Sequence, residues 1–418
     1  MLRVLVVLSV AYGVSCVGFN WTSANVCPTL KNYNTIETNQ NCRYNPNVRS
    51  SLRDIVLRNG YPIEKHNVLT EDGYILVLYR IPSSNKDNTK RQPVIIQHGI
   101  QGSAAFWVLH DRKSIGLFLV DHGYDVWLPT IRGSAESTGH VNMTTKDPAY
   151  WDFGLDELAL YDMVAYIEYV AKVTNQKGNI IYIGHSMGTT ISYIYASERR
   201  RHANEHLRGM ISLAPVAFIN KIDPLVKRFA VEYGPVVAKL ADNLGLKGTG
   251  QIPDVEMFLR KYCGTYPVVV LCDALIKLTS GDNPNENIAD MVPVFFSYYP
   301  TGVSLKVAKM YMQTVLQHGR FGKYNYGIER NRRLYGSDMP PEYNLTNIDL
   351  PVFLFVGRYD AVATPADVDV LYTVLNSRGR SYAVKYVLDM AHNDFVIGKH
   401  LDEFYTKLLE FMGKLRST

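Results

Sequence analysis

Residues 179–198 constrain this chain more than any other stretch. Asn179-Ile-Ile-Tyr-Ile183 is apolar and β-branched and reads as a buried strand. It runs straight into Gly184-His185-Ser186-Met187-Gly188, and residues 189–198 then read as a helix. A strand that becomes a helix in so few residues forces the apex, Ser186, into a strained backbone conformation. Neighbouring chain then presses on the positions two before and two after, where only glycine leaves room. Gly184 and Gly188 stand at those positions. The Ser186 hydroxyl is thereby presented above a sheet, at the positive end of a helix, which favours a developing anion. Bare G-x-S-x-G matches are common by chance, and the strand-to-helix setting is what makes Ser186 a candidate nucleophile.

The same alternation extends along the chain. Residues 73–82, 93–98, 124–128, 209–214, 351–356 and 382–388 read as strands, and 155–173, 366–375 and 401–415 as helices. Strands alternating with helices imply an α/β fold: a mostly parallel central sheet with helices on both faces. The alternation stops over 216–348, which is helix-like and rich in Tyr, Phe, Met and Pro. We expect a mainly helical cap inserted over the sheet's C-terminal edge, with core segments 19–215 and 349–418. Residues 17–50, polar and Asn-rich, read as irregular.

A serine hydroxyl is inert without a base. His392 lies in Asp389-Met-Ala-His392-Asn-Asp-Phe395, just past a strand, and Asp360 closes Phe353-Leu-Phe-Val-Gly-Arg-Tyr-Asp360 just past another. Both therefore fall at the sheet edge that carries Ser186. His392 would take the serine proton, and Asp360 would fix the imidazole tautomer. Asp367, Asp369 and His400 fall in or at helices and are poorly aimed; Asp389 and Asp394 are too near His392 in sequence. An oxyanion needs two N–H donors. Met187 supplies one, and the loop His98-Gly99-Ile100-Gln101-Gly102 the other, from Ile100 or its neighbour Gln101. His202-Ala-Asn-Glu205-His206 matches a zinc pattern, but no third ligand is evident, and we read it as a solvated helix end. No metal or organic cofactor is expected.

The first residues bear on compartment. Met1-Leu2-Arg3 precedes an apolar run, residues 4–14, and small residues near Ser15, Cys16 and Gly18. This is a signal-peptide pattern over residues 1–18, with cleavage near 16–18, and the run is too short for a membrane span. Secretion or lysosomal delivery follows. Cys27, Cys42, Cys263 and Cys272 then remain. Sequence does not choose among the connectivities; local pairs, Cys27–Cys42 and Cys263–Cys272, are the simplest. Asn20, Asn142 and Asn344 head glycosylation triplets. Net charge is only +5 without a block of five basic residues, so nucleic acid is not an expected partner. Oligomeric state is not legible.

Several separate motifs, in order from residue 45 onward, resemble the animal acid lipases, the group of gastric and lysosomal acid lipases. They are Gly60-Tyr-Pro62, Thr70-Glu-Asp-Gly-Tyr-Ile-Leu76, Gln97-His-Gly-Ile100, Trp151-Asp-Phe153 with Glu157 and Tyr161-Asp162, Gly184-His-Ser-Met-Gly188, Asp360-Ala-Val-Ala-Thr-Pro-Ala-Asp-Val368 and His392-Asn-Asp-Phe395. The resemblance implies the α/β-hydrolase fold, with chain order Ser186, Asp360, His392 for the triad. It supports Ile100 as an oxyanion donor and a cap disulfide between Cys263 and Cys272. Vertebrate members usually carry Gln where this chain has Met187; the backbone N–H survives the change. The implied activity is hydrolysis of neutral lipid esters (triacylglycerols, with sterol esters second) through an acyl-enzyme, at a lipid–water interface or lipid-particle surface. The run 266–271 is a candidate lid surface, with core of the cap as the alternative. Rival readings are an esterase for small soluble esters, a silent lipid-binding or yolk-type protein on the same scaffold, and a peptidase.

Overall fold

The computed structural model describes residues 24–82, 91–222, 224–251, 253–377 and 383–417. The signal-peptide reading of residues 1–18 and the triplet at Asn20 lie outside these residues.

Strands β1 (Asn25–Val26) and β2 (Arg43–Tyr44) make a small antiparallel pair. The main sheet contains β3 (Glu64–Leu69), β4 (Tyr74–Ile81), β5 (Pro93–Gln97), β6 (Asp125–Thr130), β7 (Gly139–His140), β8 (Ile180–His185), β9 (Leu207–Leu213), β10 (Val352–Gly357) and β11 (Ala383–Leu388). Its order is β11-β10-β9-β8-β5-β6-β4-β3, with β7 beside β4. Every pairing from β11 to β6 is parallel; β4 runs antiparallel to its neighbours. Residues of β5, β6, β8 and β10 are all buried, as parallel strands covered by helices require. This is the α/β architecture expected from the sequence.

Three details differ from the sequence reading. No strand was expected at β3, because Glu64-Lys-His-Asn67 is polar; it is the sheet's edge strand and leaves alternate residues more exposed. The helix expected over 155–173 contains a π-helical stretch, Leu158–Asp162, between Leu155–Glu157 and Met163–Thr174. Asp162, at the end of that stretch, is buried and accepts from the Arg132 backbone N–H at 3.0 Å and from Arg132 Nε at 2.6 Å. Residues 17–50 are not wholly irregular: 3₁₀ turns Leu30–Thr35 and Pro46–Val48 accompany β1 and β2.

Between β9 and β10 the described residues form helices and no strand of the sheet: Pro224–Glu232, Gly234–Asn243, Pro253–Tyr262, Val268–Ser280, Val292–Phe296, Leu305–Leu316 and Ile328–Tyr335. Hydrogen bonds tie this stretch to loops leaving the C-terminal ends of β5, β6 and β11. Thr301 N–H donates to Gln101 O, Ser134 Oγ to Gly302 O, and His392 N–H to Ser280 O. The helical segment therefore sits at the sheet edge that carries Ser186. Cys263 and Cys272 are joined at 2.02 Å, linking Pro253–Tyr262 to Val268–Ser280, and Cys27 is joined to Cys42 at 2.07 Å. The N-terminal loop so closed rests on the helical segment: Tyr33 Oη donates to Ala289 O, and Asn287 Nδ2 to Pro28 O. The candidate lid run 266–271 is mixed. Val268 and Val269 face inward and are buried, whereas Tyr266, Val270 and Leu271 are exposed. No helix among the described residues is long and apolar enough to cross a membrane.

Candidate active site

Ser186 sits between the end of β8 and the helix Met187–Glu198 with φ 54° and ψ −119°. A non-glycine residue there carries strain of about 1–3 kcal/mol, so the surroundings must hold it. They do so through the Ser186 N–H, which donates to Leu213 O at 3.0 Å, and through Ser186 O, which accepts from the Thr189 N–H at 2.8 Å. Tyr182 Oη props the turn from below by donating to Gly188 O at 2.8 Å. The flanking glycines are required by space. A Cβ on Gly184 would lie 2.7 Å from Gly188 carbonyl atoms, and one on Gly188 would lie 2.7 Å from Gln97 O.

The loops after β10 and β11 bring Asp360 and His392 to this serine. His392 Nε2 lies 2.8 Å from Ser186 Oγ, and His392 Nδ1 lies 2.8 Å from Asp360 Oδ2. Asp360 Oδ1 accepts from the N–H groups of Val362 and Ala363 at 2.8 and 2.7 Å. The Asp360 side chain is wholly buried. A buried carboxylate loaded with donors is an acceptor only, so the imidazole proton belongs on Nδ1 and Nε2 faces the Ser186 hydroxyl as an acceptor.

The loop after β5 presses against the serine: a Cβ on Gly99 would lie 3.0 Å from Ser186 Cβ. The next residues are Ile100 and Gln101, and Gln101 turns the chain at φ 56°. Gln101 O accepts from the Thr301 N–H at 2.7 Å, and its Oε1 from Tyr299 Oη at 3.4 Å, so the helical segment engages that residue. The Met187 and Ile100 N–H groups donate to no protein group among the described residues; nor does that of Gln101. Met187 adjoins Ser186 in the chain, the loop that holds Ile100 and Gln101 reaches it through Gly99, and none of these N–H groups is spent on the fold.

Two buried histidines brace the site. His98 Nδ1 donates to Gly99 O at 2.8 Å while Nε2 accepts from the Ile131 N–H. His185 Nε2 donates to the His392 carbonyl at 2.9 Å, joining the nucleophile turn to the base loop. Burial pushes both well below the ordinary histidine range, His98 to about 4 and His185 to about 3. The unfolded chain protonates these rings near pH 6.5 and the native chain refuses the proton. Stability owed to His98 is therefore intact above pH 6.5 and drains away as pH falls toward 4, by about 3 kcal/mol. Denaturant unfolding at pH 7 and pH 5 checks this: His98→Asn should show a shallower loss on acidification than the wild type, and an equal loss contradicts it.

The remaining sequence candidates serve structure. Asp367 Oδ2 accepts from the N–H groups of Asn220 and Lys221, Asp389 pairs with Arg358, and His400 with Glu286. In the zinc-like pattern, His202 bonds Tyr195 and Glu168, while Glu205 pairs with Lys177 and Arg201. Asn142 and Asn344 are exposed. Sequence reasoning missed His185, Ser280 and Asn283; the last two lie in the helical segment, over a hundred residues before the base loop, and carry no motif.

Comparison with known proteins places this geometry. Residues 52–111 match the family described as the partial alpha/beta-hydrolase lipase region, and residues 92–241 match the alpha/beta hydrolase fold. Lipase lipl-1 of Caenorhabditis elegans is 33% identical over 364 residues, covering 84% of this chain and 88% of that protein. Gastric triacylglycerol lipase of Bos taurus is 32% identical over 379 residues, covering 88% and 93%. Triacylglycerol lipase 1 of Arabidopsis thaliana is 30% identical over 379 residues, covering 89% and 92%. A nucleophile-type turn on a mostly parallel sheet, together with likeness to such lipases along most of their length, makes this chain a member of the gastric-type acid lipase family of α/β hydrolases.

Proposed function

We propose that the protein is a triacylglycerol lipase that works through an acyl-enzyme on Ser186. The observation that carries the reading is the unbroken hydrogen-bond chain Ser186 Oγ–His392 Nε2, His392 Nδ1–Asp360 Oδ2. His392 takes the hydroxyl proton as Ser186 attacks the ester carbonyl. Met187 and Ile100 N–H groups receive the oxyanion, and His392 returns the proton to the departing alcohol. Water, deprotonated by the same His392, then attacks the acyl carbonyl; the bond to Ser186 Oγ breaks, His392 returns its proton to Ser186, and the fatty acid leaves.

The lipid assignment rests on the relatives named above and on the cap, which we take as residues 216–348. Its helices hold apolar side chains in water: Val236, Val237 and Leu240 on Gly234–Asn243, and Leu271, Leu275 and Leu278 on Val268–Ser280. Such a surface favours contact with a lipid–water interface or lipid particle. Two disulfides fit the oxidising route that a signal peptide over residues 1–18 implies, toward secretion or the lysosome.

A chain-length series tests the substrate class. Each acyl CH₂ buried contributes about 0.8 kcal/mol, so kcat/KM should climb roughly fourfold per CH₂ until the binding site is filled. Emulsified triolein should outrun soluble short-chain esters, with a sterol ester as the further arm. Highest kcat/KM on acetate or butyrate esters, with no gain from emulsified substrate, would mark a small-ester esterase instead.

A further inference from the structure

The turn that ends the cap helix Val268–Ser280 grips the loop carrying His392. Ser280 O accepts the backbone N–H of His392 at 3.0 Å and that of Ala361, next to Asp360, at 3.4 Å. Asn393 Nδ2 donates to Ser280 Oγ at 2.6 Å. Gly281, at φ 94°, passes so close to Tyr359 O that a Cβ there would collide with it. Three residues into the turn, buried Asn283 spans the base loop. Its Nδ2 donates to Asp389 O at 2.8 Å, at the loop's start, and to Asp394 Oδ2 at 2.9 Å, at its end. Asp394 Oδ2 in turn accepts the Ala391 N–H at 2.7 Å. The Asn283 Oδ1 is held by the Asn285 N–H at 3.1 Å, so the amide's orientation is set by its own turn.

These bonds are not needed to build the sheet, since β10 and β11 pair without them. They do set where a four-residue excursion past β11 puts an imidazole. Asn283 touches none of the reacting groups, but it closes the loop at both ends, and Asp394 relays the grip to the residue before His392. We propose that Asn283, acting through Asp394, is a positioning residue that holds His392 in line with Ser186, so that a cap element fixes the reactivity of the base. The inference rests on the triad reading above.

The test uses the enzyme with both disulfides intact, and wild-type cleavage of a soluble short-chain ester is established first. Loss of that activity in Ser186→Ala decides the triad reading; the clamp is judged on variant-to-wild-type ratios. Asn283→Ala should lower kcat about tenfold, because small misplacements of a catalytic group are costly, while KM stays within about twofold. The rate constant for fluorophosphonate inactivation should fall by the same factor. Asp394→Ala should behave alike, and the double variant should lose no more than the worse single, because both act through one loop. Should Asn283→Ala not fold, the isosteric Asn283→Asp, which replaces the donor with an acceptor facing Asp394, is expected to give the same kcat loss. Rates within about twofold of wild type, a loss confined to KM, or fully additive single effects would overturn the proposal.

Discussion

Ser186→Ala is expected to lower ester turnover by about 10⁵–10⁶-fold, the scale on which loss of a serine nucleophile removes covalent catalysis and leaves only what the rest of the site supplies. The effect should be chemical and not structural. Alanine meets the same penalty at φ 54° as serine does, and neither backbone bond that pins the turn, Ser186 N–H to Leu213 O and Thr189 N–H to Ser186 O, involves the hydroxyl. The Gly184 and Gly188 contacts are equally untouched. The variant should therefore unfold within about one degree of the wild type, an interval of about 1 kcal/mol at this size. Steady-state hydrolysis of a soluble ester together with thermal unfolding separates the two. Activity within about tenfold of wild type in a folded variant would remove Ser186 from the reaction.

Asp360→Asn should cost about 10⁴-fold in kcat with little change in KM. The reason is in the second oxygen. Asp360 Oδ1 accepts two backbone N–H groups, from Val362 and Ala363, while Oδ2 faces His392 Nδ1. An amide NH₂ placed against Val362 and Ala363 would set donor against donor in a buried pocket. The amide must therefore turn its oxygen to the backbone and its NH₂ to His392 Nδ1. That moves the imidazole proton to Nε2, and the ring can no longer accept from Ser186. Asp360→Ala leaves Nδ1 without a partner and should be comparably slow. Kinetics of Asp360→Asn within about tenfold of wild type would show that another group orients the imidazole.

The parts of this site that the sequence exposes are those confined to one short segment. The turn at Ser186 is legible because strand, glycines and helix are contiguous, and Asp360 and His392 because each closes an apolar run. The edge strand β3 is hidden by its polar residues: Lys65 and Asn67 are exposed, and the inward position of His66 meets the helix Met163–Thr174 through a hydrogen bond to Tyr169 instead of an apolar side chain. The inward turn of Val268 and Val269 was available from helical spacing: Cys272, Asp273 and Ile276 continue their face, and Leu271, Leu275 and Leu278 the opposite one. Reading 266–271 as one apolar run concealed that split. The grip of Asn283 on Asp389 and Asp394 is another matter, because it joins residues 106 and 111 positions apart by a single amide and leaves no pattern in either segment.

The measurement that bears most directly on the account is labelling by a fluorophosphonate probe, followed by peptide mapping. The wild-type protein should carry one adduct, on Ser186 in Gly184-His-Ser-Met-Gly188, formed rapidly and abolished in Ser186→Ala. His392→Ala should form it orders of magnitude more slowly. An unreactive wild-type protein, or an adduct on any other serine, would contradict the assignment of Ser186 as the nucleophile.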